Sequence, residues 1–500
     1  MISLIDRARG ALLGMAVGEA MGSPLEGLTP EMIEKKAPRI KGFLHPSKTQ
    51  PSFRVGEFFR AVYEDETQAA LAVTEALVRR NGFDIEIFRV QLEELGRPIS
   101  GNVFGCYRRA RRNFRSAVRK MLQGEVWIKC GAHTAGSGAA SRGVPLGVWF
   151  HDQPAERTRA CVEATLITHL DPRACAATAA ISEMVALALR SEAAIVKPEE
   201  FIAAASEGAR RAEDLVAEKY SSALRPGFAG ALHQFSEAMA LLPELLDLDV
   251  DEAFVRIVAM ADGKGSRPIN LATRGFSLTA VTTAIYFFLT GYESYEDTLL
   301  DTISEGGNTD TLGCLVGGLL GALLGEREIP EEWRETMKNA KAVALRGEAM
   351  VSKDARNSLA PLVLSEAPLV KPCGKDGKKQ RDSRGPGGRD GSFRPRGPSR
   401  GGPPRGRDRG GPPPRRGPPG RPPYRDSLDR RDGPPPDRRG PPRGGDRPPY
   451  RPADRGAPGP ARDGYAPRDP APRRPLSPPP PSRPPLRRPI RDPDRDREDS

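Results

Sequence analysis

The sequence predicts an all-α domain followed by a long basic tail without regular structure. Three observations carry this. Apolar residues recur at three- and four-residue intervals through most of the first 346 residues, the period of a helix with one buried face. No stretch sustains the alternation of a half-buried strand, and no strand–helix–strand unit can be picked out. Composition then shifts abruptly near Lys371.

The elements follow in order. "RGALLGMAVGEAMG" opens the chain as a helix, and Asp6 before it and Glu19 within it argue against a secretory leader. "ETQAALAVTEALVRR" is the second clear helix. "DPRACAAT" starts another, with Asp171 as N-cap and Pro172 at the first helical position, where its missing N–H costs nothing. "EEFIAAASEGARRAEDLVAEKY", "DEAFVRIVAMA", "SLTAVTTAIYFFLTG" and "SYEDTLLDTISE" continue the helical period. The apolar run Leu312–Leu324 is shorter than the roughly 20 residues that span a bilayer. Cys106, Cys130, Cys161, Cys175, Cys314 and Cys373 form no CxxC pair, which favours free thiols over a disulfide framework or zinc site. A soluble, intracellular protein without a membrane partner is expected.

The expected organisation is a helical domain over 1–346, a transition segment over 347–370 and a disordered tail over 371–500. The tail holds 35 of the 51 prolines and 35 Lys and Arg against 17 Asp and Glu. The first 370 residues carry 42 basic against 48 acidic residues, so the basic balance belongs to the tail alone. Such a composition cannot bury enough apolar surface to offset ordering entropy. Arg-Gly-Gly recurs at Arg400, Arg409 and Arg443 among Phe393, Tyr424, Tyr450 and Tyr465. Charge with interspersed aromatics suits weak single-stranded RNA binding, and the Pro-x-x-P segments suit polyproline-reading proteins. A purely solubilising spacer is the plainer alternative.

Two glycine ridges give the body its most informative pattern. Gly313, Gly317, Gly321 and Gly325 recur every fourth residue, as do Gly10, Gly14, Gly18 and Gly22. Each set forms a bare stripe along a helix, and two such stripes predict a close, antiparallel crossing near the domain centre. That crossing would bring Glu19 and Glu26 toward Asn308 and Asp310. "YEDETQ", Tyr63 to Gln68, is a third polar cluster at a helix start. N-capping accounts for each cluster singly. Carboxylates about 4 Å apart repel by about 4 kcal/mol at an effective dielectric of 20, so a converged set would call for protons or a hard cation. Oxygen ligands alone point to Mg²⁺, Mn²⁺ or Ca²⁺.

"RGALLGMAVGEAMGSPLEG", "YEDETQAALAVTEAL", "GSGAASRGVPLG", "ITHLDPRACAAT" and "GGNTDTLGCLVGGLLGALLG…IPEEW" together resemble, in order and spacing, the ADP-ribosylglycohydrolase family, over about residues 7–335. The resemblance implies an all-helical fold that hydrolyses the glycosidic bond between ADP-ribose and a protein side chain or related acceptor, using two Mg²⁺ ions. It implies metal ligands at Glu64, Asp65, Glu66, Asn308, Asp310 and Thr311, and catalytic roles for Glu26 and Asp65. It further implies a substrate-holding loop with Gly136, Ser137, Gly138, Ala139 and Arg142, and His169 near the ligand. The partner would be an ADP-ribosylated protein or an ADP-ribose-containing small molecule.

Several positions depart from the family pattern. Glu64 stands for a threonine, Glu66 for an aspartate, Asn308 for an aspartate and Glu19 for an aspartate of the first block. A longer Glu66 moves its carboxylate by about a bond length, and a misplacement near 1 Å can cost about 10²-fold in rate. Glu64 would restore the charge that Asn308 lacks. These departures admit a second reading, a member that binds ADP-ribose or acts as a scaffold without turnover. The basic stretch "CYRRARRNFRSAVRK", Cys106 to Lys120, reads as a helix with a solvated face or as an approach path for a polyanion.

Overall fold

The computed structural model describes residues 2–49, 60–99 and 102–370. The expectations for the tail over 371–500, and for Cys373, lie outside these residues. The all-α prediction holds: among the described residues helices are joined by turns, with two isolated β-bridges and no sheet. The helices that position the site are α1 (Leu4–Gly22), α2 (Asp65–Arg80), α3 (Arg112–Leu122), α4 (Pro172–Ala188), α5 (Pro198–Lys219), α6 (Tyr295–Ser304), α7 (Thr309–Leu324) and α8 (Ala340–Val351). Asp171 caps α4 as expected, its side chain accepting from Arg173 N at 3.1 Å. No helix of the described residues is long and apolar enough to cross a membrane. The five described cysteines are free and buried.

Two local expectations change. The helix expected over Ser277–Gly291 begins as a wide π turn, Ser277–Val281, before regular α geometry over Thr282–Gly291. In that turn Ser277 N reaches Ala135 O at 2.9 Å, tying the segment to the predicted substrate loop. The basic stretch is helical only from Arg112; residues 106–111 are irregular, with a bend at Arg108 and Arg109. Buried carboxylates draw Arg108 and Arg109 inward, and a helix through them could not serve both directions.

At the centre α1 and α7 run antiparallel with their backbones touching. A β-carbon at Gly10 would lie 2.4 Å from Gly321 O, one at Gly14 2.2 Å from Gly317 O, and one at Gly18 1.8 Å from Gly313 O. The glycine cost to helix propensity, about 1 kcal/mol per position, is the condition for this approach. Gly325 closes the stripe, its carbonyl carbon 2.5 Å from where a β-carbon on Gly10 would stand. It follows the end of α7 at φ 84°, a left-handed conformation suited to glycine. On its other side α1 packs against α8, where a β-carbon at Gly347 would meet Ala8 O at 2.3 Å.

Gly18→Ala places a methyl group against a backbone carbonyl that cannot rotate away. We expect a loss of at least about 3 kcal/mol in urea unfolding, at or above the upper end of ordinary overpacking. Gly230→Ala, where a β-carbon meets nothing within 4 Å, should change stability by less than about 0.5 kcal/mol.

Candidate active site

The crossing of α1 and α7 sets one carboxylate in an unusual position. Glu19, one residue beyond Gly18, is 1% exposed. Its Oε1 accepts from Glu66 N at 3.1 Å and its Oε2 from Thr67 N at 3.0 Å. The residue before α2, Glu64, makes no side-chain cap of its own. The first amides of α2 are therefore satisfied from a different helix, where its dipole also favours negative charge. Asn308 likewise does not cap α7; its Nδ2 donates to Ser137 Oγ at 3.3 Å. Gly306 and Gly307, at φ 72° and 75°, turn the chain into this position. A β-carbon on Gly307 would meet Thr273 Oγ1 at 2.1 Å.

One cleft of about 210 Å³ gathers most of the predicted site residues. Asp65, Glu66, Asn308 and Thr311 line it together with Gly136, Ser137, Gly138, Arg142 and His169. Thr311 donates to a Glu66 carboxylate oxygen, and Ser141 Oγ donates to Glu66 O at 3.2 Å. A parallel bridge between Ala132 and His169 ties the loop to the start of α4. It sets His169 Nε2 3.2 Å from where a β-carbon on Gly136 would stand. His169 is buried, its Nδ1 2.8 Å from Thr168 Oγ1. Burial, with the Arg142 charge, lowers its pKa to about 3, so it is neutral at pH 7. Arg142 is itself 1% exposed and donates to Ala164 O and Thr168 Oγ1.

Four predicted residues stand off the cleft lining. Ala139 is fully buried beneath it. Glu64 accepts from Ser23 Oγ and, at 3.0 Å, from Arg109. Asp310 is held by Arg111 and accepts from Thr311 N at 2.9 Å. Glu26 lines an adjoining cavity of about 390 Å³ with Arg109 and Arg111. Burial raises Glu19, Glu26, Glu64 and Asp65 to about 7, and Glu66 well above its ordinary value. Neighbouring carboxylates add to each shift, while Arg109 and Arg111 oppose it at Glu26, Glu64 and Asp65.

A family model described as ADP-ribosylglycohydrolase matches residues 1–363. The chain belongs to that family. It is 25% identical over 336 residues to an uncharacterized protein of Archaeoglobus fulgidus, covering 67% of this chain and 92% of that one. Against the ADP-ribosyl-(dinitrogen reductase) glycohydrolase of Rhodospirillum rubrum it is 24% identical over 340 residues, covering 66% and 90%. Against the ADP-ribosylhydrolase ARH3 of Danio rerio it is 24% identical over 351 residues, covering 67% and 86%. A solved structure titled ADP-ribosylglycohydrolase-related protein complex aligns with 70% of this chain and 98% of its own, at 20% identity and a TM-score of 0.46.

The donor set of this ADP-ribosylglycohydrolase does not fit a divalent ion in the arrangement seen. Among the described residues no group of three or more His, Cys, Asp or Glu side chains is disposed to hold a metal. Both carboxylate oxygens of Glu26 and one each of Glu64 and Asp310 are engaged by guanidinium groups instead.

Sequence reasoning missed three participants. Arg109 and Arg111 lay in a stretch read as a helix with a solvated face or as an approach path for a polyanion, not as partners of the acidic cluster. Glu366, within the transition segment, is fully buried, pairs with Arg108 at 2.8 Å and is bonded by Tyr63 and Gln68. A buried acid far along the chain, after the periodic pattern ends, leaves no mark in the sequence.

Glu19→Ala removes both acceptors for the Glu66 and Thr67 amides. We expect a loss of about 2 kcal/mol in denaturant unfolding at pH 7, the usual scale for a lost cap. Glu19→Gln, which keeps one acceptor oxygen, should lose roughly half as much.

Proposed function

We propose that this chain hydrolyses the glycosidic bond joining ADP-ribose to a modified protein side chain or a related acceptor. The observation that carries this reading is the cleft itself. Asp65 and Glu66 from the start of α2, and Asn308 and Thr311 from the start of α7, face the small-residue loop Gly136–Gly138 across one cavity. The relatives named for ADP-ribosyl hydrolysis match over the same folded body.

The chain's own groups suggest the division of labour. Asp65 Oδ2 accepts a long hydrogen bond of 3.3 Å from Arg111 N. Raised to about 7 by burial, Asp65 is poised to take a proton from a water attacking the anomeric carbon, since a general base works best near the operating pH. Glu66 Oε2 is buried with no hydrogen-bond partner, an acceptor that a hydroxyl of bound ribose would satisfy. Arg111, with its side chain 46% exposed, offers a cation at the cleft for the diphosphate. Ser137 and Asn308 supply polar contacts beside it. Glu26, held by both arginines, acts by positioning them.

The second reading, ADP-ribose binding without turnover, is favoured by the same arginines, because they leave Glu26 and Asp310 bound rather than free to act. The two are separated by offering the purified protein ADP-ribosylated arginine and serine peptides. Release of free ADP-ribose is expected from at least one, with a loss of about 10²-fold or more in Asp65→Asn. No release from either at high protein concentration, with retained ADP-ribose binding by calorimetry, would count against hydrolysis of those two linkages and favour the second reading.

The tail's proposed role, recruitment of RNA or of a polyproline-reading protein, is supported by composition alone. Single-stranded RNA binding should weaken steeply with salt and disappear on deletion of 371–500. Binding that survives the deletion would sink it.

A further inference from the structure

We infer that Arg109 and Arg111 stand in for divalent cations, so that the acidic cluster is neutralised from within the chain and needs no metal ion. The inference rests on reading the cleft as an ADP-ribosyl hydrolase site.

One three-residue segment engages four carboxylates. Arg109 donates from Nη1 to Glu64 Oε1 at 3.0 Å and to Ser23 Oγ at 2.7 Å, and from Nη2 to Glu26 Oε2 at 2.8 Å. Arg111 donates from Nη1 to Glu26 and from Nη2 to Asp310. Its backbone N reaches Asp65 at 3.3 Å. Glu64, Asp65 and Asp310 come from the starts of α2 and α7, the two places from which the resemblance draws metal ligands, and Glu26, given a catalytic role by it, follows the end of α1. A divalent ion needs several oxygen lone pairs turned toward it. Guanidinium groups offer donors only, and a doubly held one must leave before a cation can take its oxygens.

The backbone favours the same assignment. Arg109 sits at φ 45°, a left-handed conformation that residues with a β-carbon avoid. That turn aims neighbouring side chains in opposite directions. Arg108 points to Tyr63 O at 2.7 Å and to Glu366, while Arg109 enters the cluster. Arginine stays charged across the accessible pH range, so the positive side of the clamp does not titrate. Asn308 puts a neutral amide where the family pattern has a carboxylate, and Glu64, the carboxylate that restores the count, is the one Arg109 holds.

The test is metal binding by the whole 500-residue chain after stripping with EDTA. It is read by calorimetric titration with Mg²⁺ and by the free-ion paramagnetic resonance signal of Mn²⁺. We expect no uptake of either ion below about 1 mM, and Mn²⁺ binding on the order of 100-fold tighter in Arg109→Gln/Arg111→Gln, where two nearby positive charges are gone. If that variant does not fold, Arg111→Gln alone is measured, with tighter Mn²⁺ binding again expected. Micromolar uptake by the unaltered protein overturns the inference. So does ADP-ribose release that requires added Mg²⁺, an outcome that leaves the hydrolase reading standing. Absence of release with still no metal uptake removes the hydrolase reading and leaves the clamp. Release undiminished in EDTA supports both.

Discussion

Where Gly18 meets Gly313, two helix backbones approach with no room for a methyl group, and the site depends on that approach. Helices in side-chain contact sit 8–10 Å apart and leave some freedom to slide. Backbones in contact through a row of glycines have far less, because each carbonyl faces a specific gap. Glu19 follows Gly18 directly, and Asp310 lies three residues before Gly313. Their relative position is thus set by the crossing, although nearly three hundred residues separate them along the chain. The start of α2 is then held by Glu19, which places Asp65 and Glu66 beside the start of α7.

Bringing these acids together is electrostatically adverse. Five of them are shifted upward chiefly by burial and further by one another. Proteins meet such a load with protons, with cations or with arginine, and this chain carries two arginines turned into the cluster by a strained turn. Strain and mutual repulsion of this kind persist where the surrounding packing over-determines them. Here the surroundings are the glycine crossing on one side and the Tyr63–Gln68–Arg108–Glu366 network on the other.

Much of this was legible in the residues. Four-residue glycine spacing announced both stripes and their antiparallel meeting, because a bare helix face has few uses other than close approach. The helical period located α2, α4 and α5, and Asp171 with Pro172 marked the start of α4. N-capping, the plainer account of the polar clusters, does not hold at Glu64 or Asn308: Glu19 accepts from the first amides of α2, and Asn308 donates to Ser137. The helix expected across 106–111 is absent for a related reason: a helix-period pattern does not reveal that carboxylates from distant segments draw Arg108 and Arg109 inward.

The order of amino acids by itself determined the helical class, the glycine contacts and the family, because periodicity, side-chain size and motif order are local properties that survive without coordinates. Only the folded chain decided which oxygens are open and which are already bound. That depends on distances of a few ångströms between segments far apart in sequence, and on the direction in which a single turn at Arg109 sends its side chain.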